Sequence, residues 1–198
     1  AFLGRNGHRA RSVAHSGPPS GTAILPAMTT GYTDDHAAAV VGHVGLVLAV
    51  PGRLMDKVMD RASQDGAMIN QFEFGARTTK DSRRVVRPSP DLAYSTCVYD
   101  LSKGPVQIAA APTPNGGYVS ISVFDANTDN IAVFDTSQQP QGISFVLARK
   151  GQQVPAGAKV VISPSDRGMV LDRRLAANDA QFAAADQARR ADRCAPVG

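Results

Sequence analysis

The sequence predicts a mainly β protein: an antiparallel β-sandwich or jelly roll, with an N-terminal apolar helix before it and a C-terminal helix after it. Three observations support this fold class. From residue 93 onward, apolar and polar residues alternate with a period of two in short runs, as in half-buried strands. Turn-forming residues separate these runs roughly every ten residues. One long uncharged apolar stretch precedes the runs, and one Ala-rich stretch follows them.

Residues 1–35 are rich in Gly, Ser, Pro and Arg and show no apolar periodicity. This composition is typical of a disordered or processing segment. We therefore expect it to be the least ordered part of the chain.

The stretch HAAAVVGHVGLVLAVPG (residues 36–52) contains no Asp, Glu, Lys or Arg. A membrane-spanning helix needs about 20 apolar residues. Snorkelling of Arg53 and Lys57 extends the apolar length of this one. We predict an apolar helix over 36–62 that anchors the protein in a membrane through 36–59.

Two alternatives to an anchor stay open. The first alternative is a helix buried in the core of a soluble protein or at an interface, with a kink at Pro51. The second alternative is a signal peptide that is cleaved off, although the residues Ala-Val-Pro at the end of the stretch form a poor cleavage site. If the helix is an anchor, Arg5, Arg9 and Arg11 favour an N-terminus on the inner side, and the basic residues after the helix weaken that bias.

Residues 63–82 are predicted to be a linker with a basic loop. The chain has a formal net charge of +4, and five basic residues against one acidic residue lie between 77 and 87. A nucleic-acid-binding module adds stacking aromatic residues or a recognisable motif to its basic patch. The chain has neither, so we predict a solvated loop and no nucleic-acid partner.

The predicted sandwich domain extends over 83–198. Its seven predicted strands are 93–99, 105–111, 117–124, 130–134, 143–149, 159–163 and 168–172. Short strands with a turn after each one favour antiparallel pairing over a βαβ fold.

The Ala-rich C-terminal stretch is predicted to be a helix. Asn178 or Asp179 is its N-cap. Arg189, Arg190 and Arg193 lie at its C-terminal end, where positive charge suits the helix dipole.

The segment VVRPSPDLAYSTCVYDLSKGPV, followed by GGYVSISVFDANTDNIAVFD, resembles the domain of unknown function 1254 family. Members share an Arg-Pro-x-x-Asp-x-x-Tyr-Ser segment, an Asp-Leu-x-x-Gly-Pro turn and an aromatic strand that leads into Asp and Asn. The resemblance covers about residues 83–175 and implies a jelly-roll-like domain in a bacterial protein, without an established reaction. Short members with one N-terminal apolar helix imply a location in the inner membrane, with the domain facing the periplasm.

The first candidate ligand-binding residues are Arg87, Asp91, Tyr94 and Asp100. On a functional interpretation, Arg87, Asp91 and Tyr94 line a polar pocket at the sheet edge. On a structural interpretation, which we favour, Arg87 pairs with Asp91 or Asp100 and fixes the loop.

The second group of candidates follows from the alternation in the strand at 117–124. Tyr118, Ser120 and Ser122 share one face of this strand, and Val119, Ile121 and Val123 share the other. A hydroxyl-rich face is most often the solvent-exposed side of a sandwich, and otherwise lines a cavity for a small polar ligand.

Asp125 belongs to an Asx-rich turn after the same strand and is the last candidate ligand-binding residue. The turn lacks the glycine and the closing glutamate of a calcium loop. We therefore predict no metal there.

The residue types available limit the chemistry. All four histidines lie within the first 43 residues, and Glu73 is the only glutamate. The predicted strands therefore lack the histidines of a cupin metal site or of a Ser-His-Asp triad. We predict no cofactor, and binding of a small ligand or a partner protein rather than catalysis. The alternative is a non-metal enzyme that uses Asp, Tyr and Arg at the sheet edge.

Cys97 and Cys194 are the only cysteines. In an oxidising compartment an even number of cysteines favours a disulfide, which would tie the end of the chain to the sheet. Two unrelated thiols, one in a strand and one in a frayed tail, are the alternative.

Overall fold

The structure is a computed structural model that describes residues 28–79, 81–82 and 88–197. The chain divides into two units. Residues 1–43 form the first unit, in which the described residues 28–43 are helical. Residues 44–198 form the second unit, which holds the remainder of this helix and both β-sheets.

Two α-helices and nine strands make up the described chain. The helices are α1 (Met28–Ala62) and α2 (Asp179–Arg189). The strands, in chain order, are β1 (Phe72–Phe74), β2 (Leu92–Asp100), β3 (Val106–Ala110), β4 (Val119–Asp125), β5 (Asn130–Asp135), β6 (Ile143–Arg149), β7 (Val160–Ser163), β8 (Arg167–Leu175) and β9 (Arg193–Pro196).

The strands form two sheets in a sandwich-like arrangement. Sheet A has the order β1-β2-β8-β4-β5, and sheet B has the order β7-β6-β3-β9. Neighbouring strands are antiparallel except for β6 and β7, which are parallel. The prediction of a mainly β sandwich with an N-terminal and a C-terminal helix is confirmed.

All seven predicted strands are present, but the sequence did not reveal β1 and β9. They have only three and four residues, which are too few to establish a period of two, and each pairs with one longer strand. Because Arg193 begins β9, the prediction that α2 continues to Arg193 was wrong.

The helix α1 begins at Met28 and not at residue 36 as predicted, since residues 28–35 are helical. No proline lies between Pro26 and Pro51, and an existing helix extends at low cost. The other predicted disordered residues, 1–27, lie outside the described residues.

The core between the sheets is mainly apolar. Strand β4 directs Val119, Ile121 and Val123 into it, and all three are fully buried, as the alternation predicted. Other buried members come from both sheets and include Tyr99, Leu101, Val106, Ile108, Phe145, Leu147 and Val170.

A second apolar cluster lies on the outer face of sheet A. Met55 and Met59, near the end of α1, are buried there together with Val98 of β2. Phe124 and Met169 pack against these three residues. The last two turns of α1 are therefore part of the folded domain.

Gly168 occupies a position on β8 that has no room for a side chain. A Cβ atom there would lie 2.2 Å from the Phe124 carbonyl oxygen and 2.2 Å from Tyr99 Oη. Tyr99 is fully buried and hydrogen-bonds Phe124 O and Ser163 Oγ, both at 3.1 Å. Neither neighbour is free to move away.

We expect Gly168→Ala to lower the free energy of unfolding by about 1–3 kcal/mol, because it overpacks this site. Chemical denaturation followed by circular dichroism measures the effect. Gly45→Ala is a suitable control, since Gly45 lies in helix α1 and a Cβ atom there would have open space around it. Equal losses for the two variants would contradict the packing argument.

Candidate functional site

Asp91 and Tyr94, two residues of the predicted pocket, both hydrogen-bond the backbone near the start of β2. Asp91 is exposed, and its carbonyl accepts a hydrogen bond from Ala176 N at 2.8 Å. Tyr94 Oη accepts the N–H of Ser89 at 2.8 Å. The phenol therefore stabilises the turn before β2. Arg87 lies outside the described residues.

Asp100 lies at the opposite end of β2 from Asp91. Nine strand residues separate the two ends, so the two carboxylates are roughly 30 Å apart at about 3.3 Å per residue. This distance excludes Asp91 and Asp100 as a pair of carboxylates for glycoside hydrolysis, which needs them within about 10 Å.

Asp100 has a structural role at the end of β2. Its Oδ1 accepts the N–H of Ser102 at 2.8 Å, and its backbone pairs with the Asn70 side chain at 2.8 and 3.1 Å. Partial burial alone would raise the pKa of the carboxyl group, but the hydrogen bonds from Ser102 and the charges of Arg167 and Lys103 outweigh it and hold the pKa below its usual value.

The hydroxyl face of β4 is buried, so its interpretation as the solvent-exposed side of the sandwich was wrong. Ser120 and Ser122 are only 3% and 1% exposed. Arg173 of the neighbouring strand donates to Ser122 Oγ at 2.9 Å. Tyr118 is the exposed member, because it precedes the strand.

Asp125 is a buried turn residue. Its Oδ1 accepts the N–H groups of Asn127 at 2.8 Å and Asp129 at 3.0 Å. The carboxylate stabilises the β4–β5 turn through these bonds.

The most unusual polar group in the described chain is one that the sequence did not predict. We call it the buried ion cluster: Asp172 and Arg174 of β8, and Asp192 just before β9. All three side chains are fully buried. Arg174 Nε donates to Asp172 Oδ2 at 3.0 Å. Its Nη2 donates to both carboxylate oxygens of Asp192 at 2.7 Å.

The buried ion cluster connects the two sheets. Arg174 belongs to sheet A, and its Nη1 donates to the carbonyl of Ala111, just after β3 of sheet B, at 2.8 Å. Asp192 Oδ1 also accepts the N–H of Ala111 at 2.9 Å. On the other side, Ser95 of β2 donates to Asp172 Oδ2 at 3.1 Å.

The charges of the cluster do not balance, since two carboxylates share one guanidinium. Asp172 Oδ1 has no hydrogen-bond partner among the described residues. Burial raises the pKa of Asp172 against the effect of Arg174. Burial raises the pKa of Asp192 to about 7. The negative charge of Asp172 acts in the same direction, and the positive charge of Arg174 opposes it. The cluster therefore retains a proton at mildly acidic pH.

This proton predicts an unusual dependence of stability on pH. An aspartate of the unfolded chain has a pKa of 3.8, so between that value and about 7 the folded state binds a proton that the unfolded state has lost. We expect the free energy of unfolding to fall as the pH rises from 5 to 8. Urea denaturation at a series of pH values measures it.

The variant Asp192→Asn tests the origin of this slope, because its amide does not titrate. Asp100, Asp135 and Asp186 have lowered pKa values, so their contributions change only below about pH 4. An equally steep slope in Asp192→Asn would contradict the assignment.

Arg189 of α2 is a second buried guanidinium and was predicted only as a favourable charge at the helix end. It is 1% exposed. Its Nη1 donates to the carbonyl of Tyr94 and its Nη2 to that of Gly75, both at 2.7 Å. Asp186 accepts its Nε at 2.9 Å. Arg189 thus joins α2 to β2 and to the segment after β1.

Two surface depressions are lined by none of the described residues that were predicted as candidates. One of about 330 Å³ is lined mainly by the loop 155–159 and by Gln107, Ser144 and Val146. The other, of about 280 Å³, lies between α2 and the segment 113–117. Asp91, Tyr94, Asp100, Ser120 and Asp125 line neither of them. Whether these candidates bind a ligand therefore stays a prediction.

The two cysteines form a disulfide. Cys97 of β2 and Cys194 of β9 have Cα atoms 6.6 Å apart and are separated by 97 positions. Both side chains belong to the core cluster, so the bond connects sheet A to sheet B near the buried ion cluster.

Comparison with known proteins gives a family and a fold. No curated protein matches this chain. The structure is similar to the VPA0106 protein from Vibrio parahaemolyticus, with a TM-score of 0.59 and 19% identity over 75% of this chain and 36% of that chain. An uncharacterized protein from Burkholderia cenocepacia matches with a TM-score of 0.40 and 14% identity, over 64% of this chain and 37% of that one.

The chain thus spans little more than a third of each solved chain it matches. The likeness to the Vibrio protein is one of fold. The family described as "Protein of unknown function (DUF1254)" matches residues 69–196, which include β1 and β9 as well as the segments on which the resemblance rested. Since this match covers well over half of the sequence, the chain belongs to the DUF1254 family.

Proposed function

We propose that this chain is a bacterial envelope protein that holds a β-sandwich interaction domain at the inner membrane. In this proposal α1 is the anchor, the sandwich faces the periplasm, and the sandwich binds a partner protein through its surface.

The observation that carries the proposal is the exposure of α1. The segment His36–Ala62 is long and apolar enough to cross a membrane. Every residue from 36 to 48 is exposed, and Val41 and Leu48 are 72% and 76% exposed. A buried core helix does not have this pattern. An exposed stripe of Val and Leu in water is unfavourable by about 25 cal/mol per Å² of apolar surface, and a bilayer removes that cost.

The disulfide supports the periplasmic side. Bonds such as Cys97–Cys194 persist in oxidising compartments and are rare in the cytosol. Arg5, Arg9 and Arg11 favour an N-terminus on the inner side, and the basic residues after the apolar stretch weaken that bias.

A surface partner is favoured over an enclosed small ligand because the candidate polar residues are already used. Tyr94, Asp100 and Asp125 hydrogen-bond their own turns, and the space between the sheets is filled by the apolar core. Partners of such a domain contact its rim and its outer surface.

Membrane fractionation of the full chain expressed in a bacterium tests the anchor. We expect the protein to stay with membranes after an alkaline carbonate wash, and protease added to spheroplasts to digest the sandwich. The variant Val44→Arg/Leu48→Arg should leave the membrane, since each arginine costs about 2.5–3.5 kcal/mol at a helix centre.

Val133→Arg is the matched control, because Val133 is an exposed apolar residue of the sandwich. It should remain in the membrane fraction. Release of the unmodified chain by carbonate would refute the anchor, and protection of the sandwich from protease in intact spheroplasts would refute the periplasmic side.

A further inference from the structure

We propose that the sandwich rests on the lipid headgroups in one fixed orientation, with the end that carries the β4–β5 turn against the membrane. This rests on the proposed function, since it requires α1 to be the anchor. The partner of this surface is the headgroup layer of the bilayer.

The first step is that no flexible linker separates the apolar part of α1 from the sandwich. The helix continues through Pro51 to Ala62. Leu48 is among its most exposed residues, whereas Met55 and Met59 are 3% and 1% exposed in the cluster on sheet A. Seven residues of helix span about 10 Å. The anchor therefore enters the folded domain within two turns of its exposed apolar part.

The second step identifies which end of the sandwich lies at that level. A Cβ atom on Gly52 would lie 3.6 Å from Asn127 Oδ1 and 3.9 Å from the carbonyl of Ala126. The β4–β5 turn thus touches α1 just where the uncharged stretch ends and Arg53 begins. Val50, two residues before Gly52, is 48% exposed. At 1.5 Å per residue, it lies only about 3 Å from Gly52 along the helix axis.

The third step is that two more turns share this end. Ser165 of the β7–β8 turn accepts the N–H of Ala126 at 3.0 Å. Asp166 of the same turn accepts the N–H of Leu101, in the β2–β3 turn, at 2.8 Å. We call these three turns, residues 101–105, 126–129 and 164–166, the proximal end.

The proximal end has the chemistry of a headgroup-facing surface. Lys103, Asn127 and Asp129 are exposed, and the side chain of Asp166 is 62% exposed while paired with Arg149 at 2.9 Å. Both signs of charge and several amide and hydroxyl groups are available to zwitterionic headgroups. Large apolar side chains do not protrude there among the described residues, so the surface fits the polar layer and not the acyl chains.

The opposite end of the sandwich faces away from the membrane. The strand β5 begins at the proximal end and leads to the β5–β6 turn, and its six residues span roughly 20 Å. Gln138 of that turn is exposed. A partner protein therefore has access to this far end, while lipid occupies the near end.

The chain contains no tryptophan, so a single introduced tryptophan reports its own distance from lipid. We would insert four variants of the full chain into phosphatidylcholine vesicles: Leu48→Trp in the helix, Asn127→Trp and Lys103→Trp at the proximal end, and Gln138→Trp at the far end. Lipids brominated in the acyl chain quench a tryptophan in the bilayer core, and lipids with a nitroxide headgroup quench one at the surface. Circular dichroism and non-reducing electrophoresis check that each variant is folded and disulfide-bonded.

We expect the brominated lipid to quench Leu48→Trp. The headgroup nitroxide should remove more than half of the fluorescence of Asn127→Trp and Lys103→Trp and leave that of Gln138→Trp almost unchanged. If Leu48→Trp is quenched but the proximal and far positions respond equally, the fixed orientation is wrong and the anchor stands. If Leu48→Trp is not quenched in the vesicles, the proposed function fails, and the orientation fails with it.

Discussion

Removing the disulfide with Cys97→Ala/Cys194→Ala should lower the free energy of unfolding by about 4–5 kcal/mol, because the bond closes a loop of nearly a hundred residues in the unfolded chain. The measured change also includes a small packing loss, since both sulfur atoms lie in the core cluster. Urea denaturation of the full chain in mild detergent, followed by circular dichroism, provides the measurement. An effect of this size equals much of the stability of a typical domain.

Reduction gives a control for this prediction. If urea denaturation is repeated with dithiothreitol, the unmodified chain unfolds with both cysteines reduced, and it should approach the variant. The variant itself should not respond to dithiothreitol. A denaturation midpoint that is the same for the oxidised chain and the variant would refute the stabilising role of the bond.

Arg174→Met should be nearly as damaging, at about 3–5 kcal/mol near neutral pH, because it leaves Asp172 and Asp192 buried without their shared guanidinium. Methionine fills much of the volume of arginine, so the loss reports charge and hydrogen bonding more than a cavity. The loss should be smaller at pH 5, where the cluster holds its additional proton. Thermal or urea unfolding of the full chain at the two pH values measures both effects.

The neighbouring Arg173→Met is the matched control. Arg173 lies on the other face of the same strand and donates to a neutral hydroxyl, Ser122 Oγ, so its loss should cost about 1.5–3 kcal/mol, less than the loss of Arg174. The triple variant Asp172→Asn/Arg174→Met/Asp192→Asn should recover part of the stability, since the unpaired charges are gone. Equal losses for Arg173→Met and Arg174→Met would contradict the role of the cluster.

The strands with strong alternation could be predicted from the sequence, and those without it could not. In β4, Val119, Ile121 and Val123 repeat with a period of two, so the strand and its core face follow directly. In β9, four residues that include Pro196 carry no such repeat. This strand exists because β3 offers an edge and because Cys97 and Arg174 hold the segment there.

The environment of a strand face is harder to predict than its existence. The alternation correctly separated Ser120 and Ser122 from the core face of β4, but it contains no information about whether that face is covered. Arg173 lies beside these hydroxyls in the folded protein, and strand pairing brings it there from 51 positions away.

The buried ion cluster was missed for a similar reason. Asp172, Arg173 and Arg174 are consecutive charged residues, which is the usual composition of a solvated strand end. The burial of Asp172 and Arg174 depends on Asp192, which follows α2 and lies beside Arg174. In β8, Val170, Asp172 and Arg174 are two residues apart and so share one face of the strand. Continuing the period of two from Val170 is the only sequence argument that would have placed these two charges in the core.

The position of β9 in the chain also determines when the sandwich closes during synthesis. Its partner β3 ends at Ala110, and β9 begins only at Arg193. At a translation rate of roughly 5–20 residues per second, the interval between them is on the order of ten seconds. Throughout this time β3 has an unpaired edge and Cys97 is a free thiol. The nascent domain is therefore open to wrong strand pairing until residue 196 has emerged, and its dependence on chaperones should be concentrated in that interval.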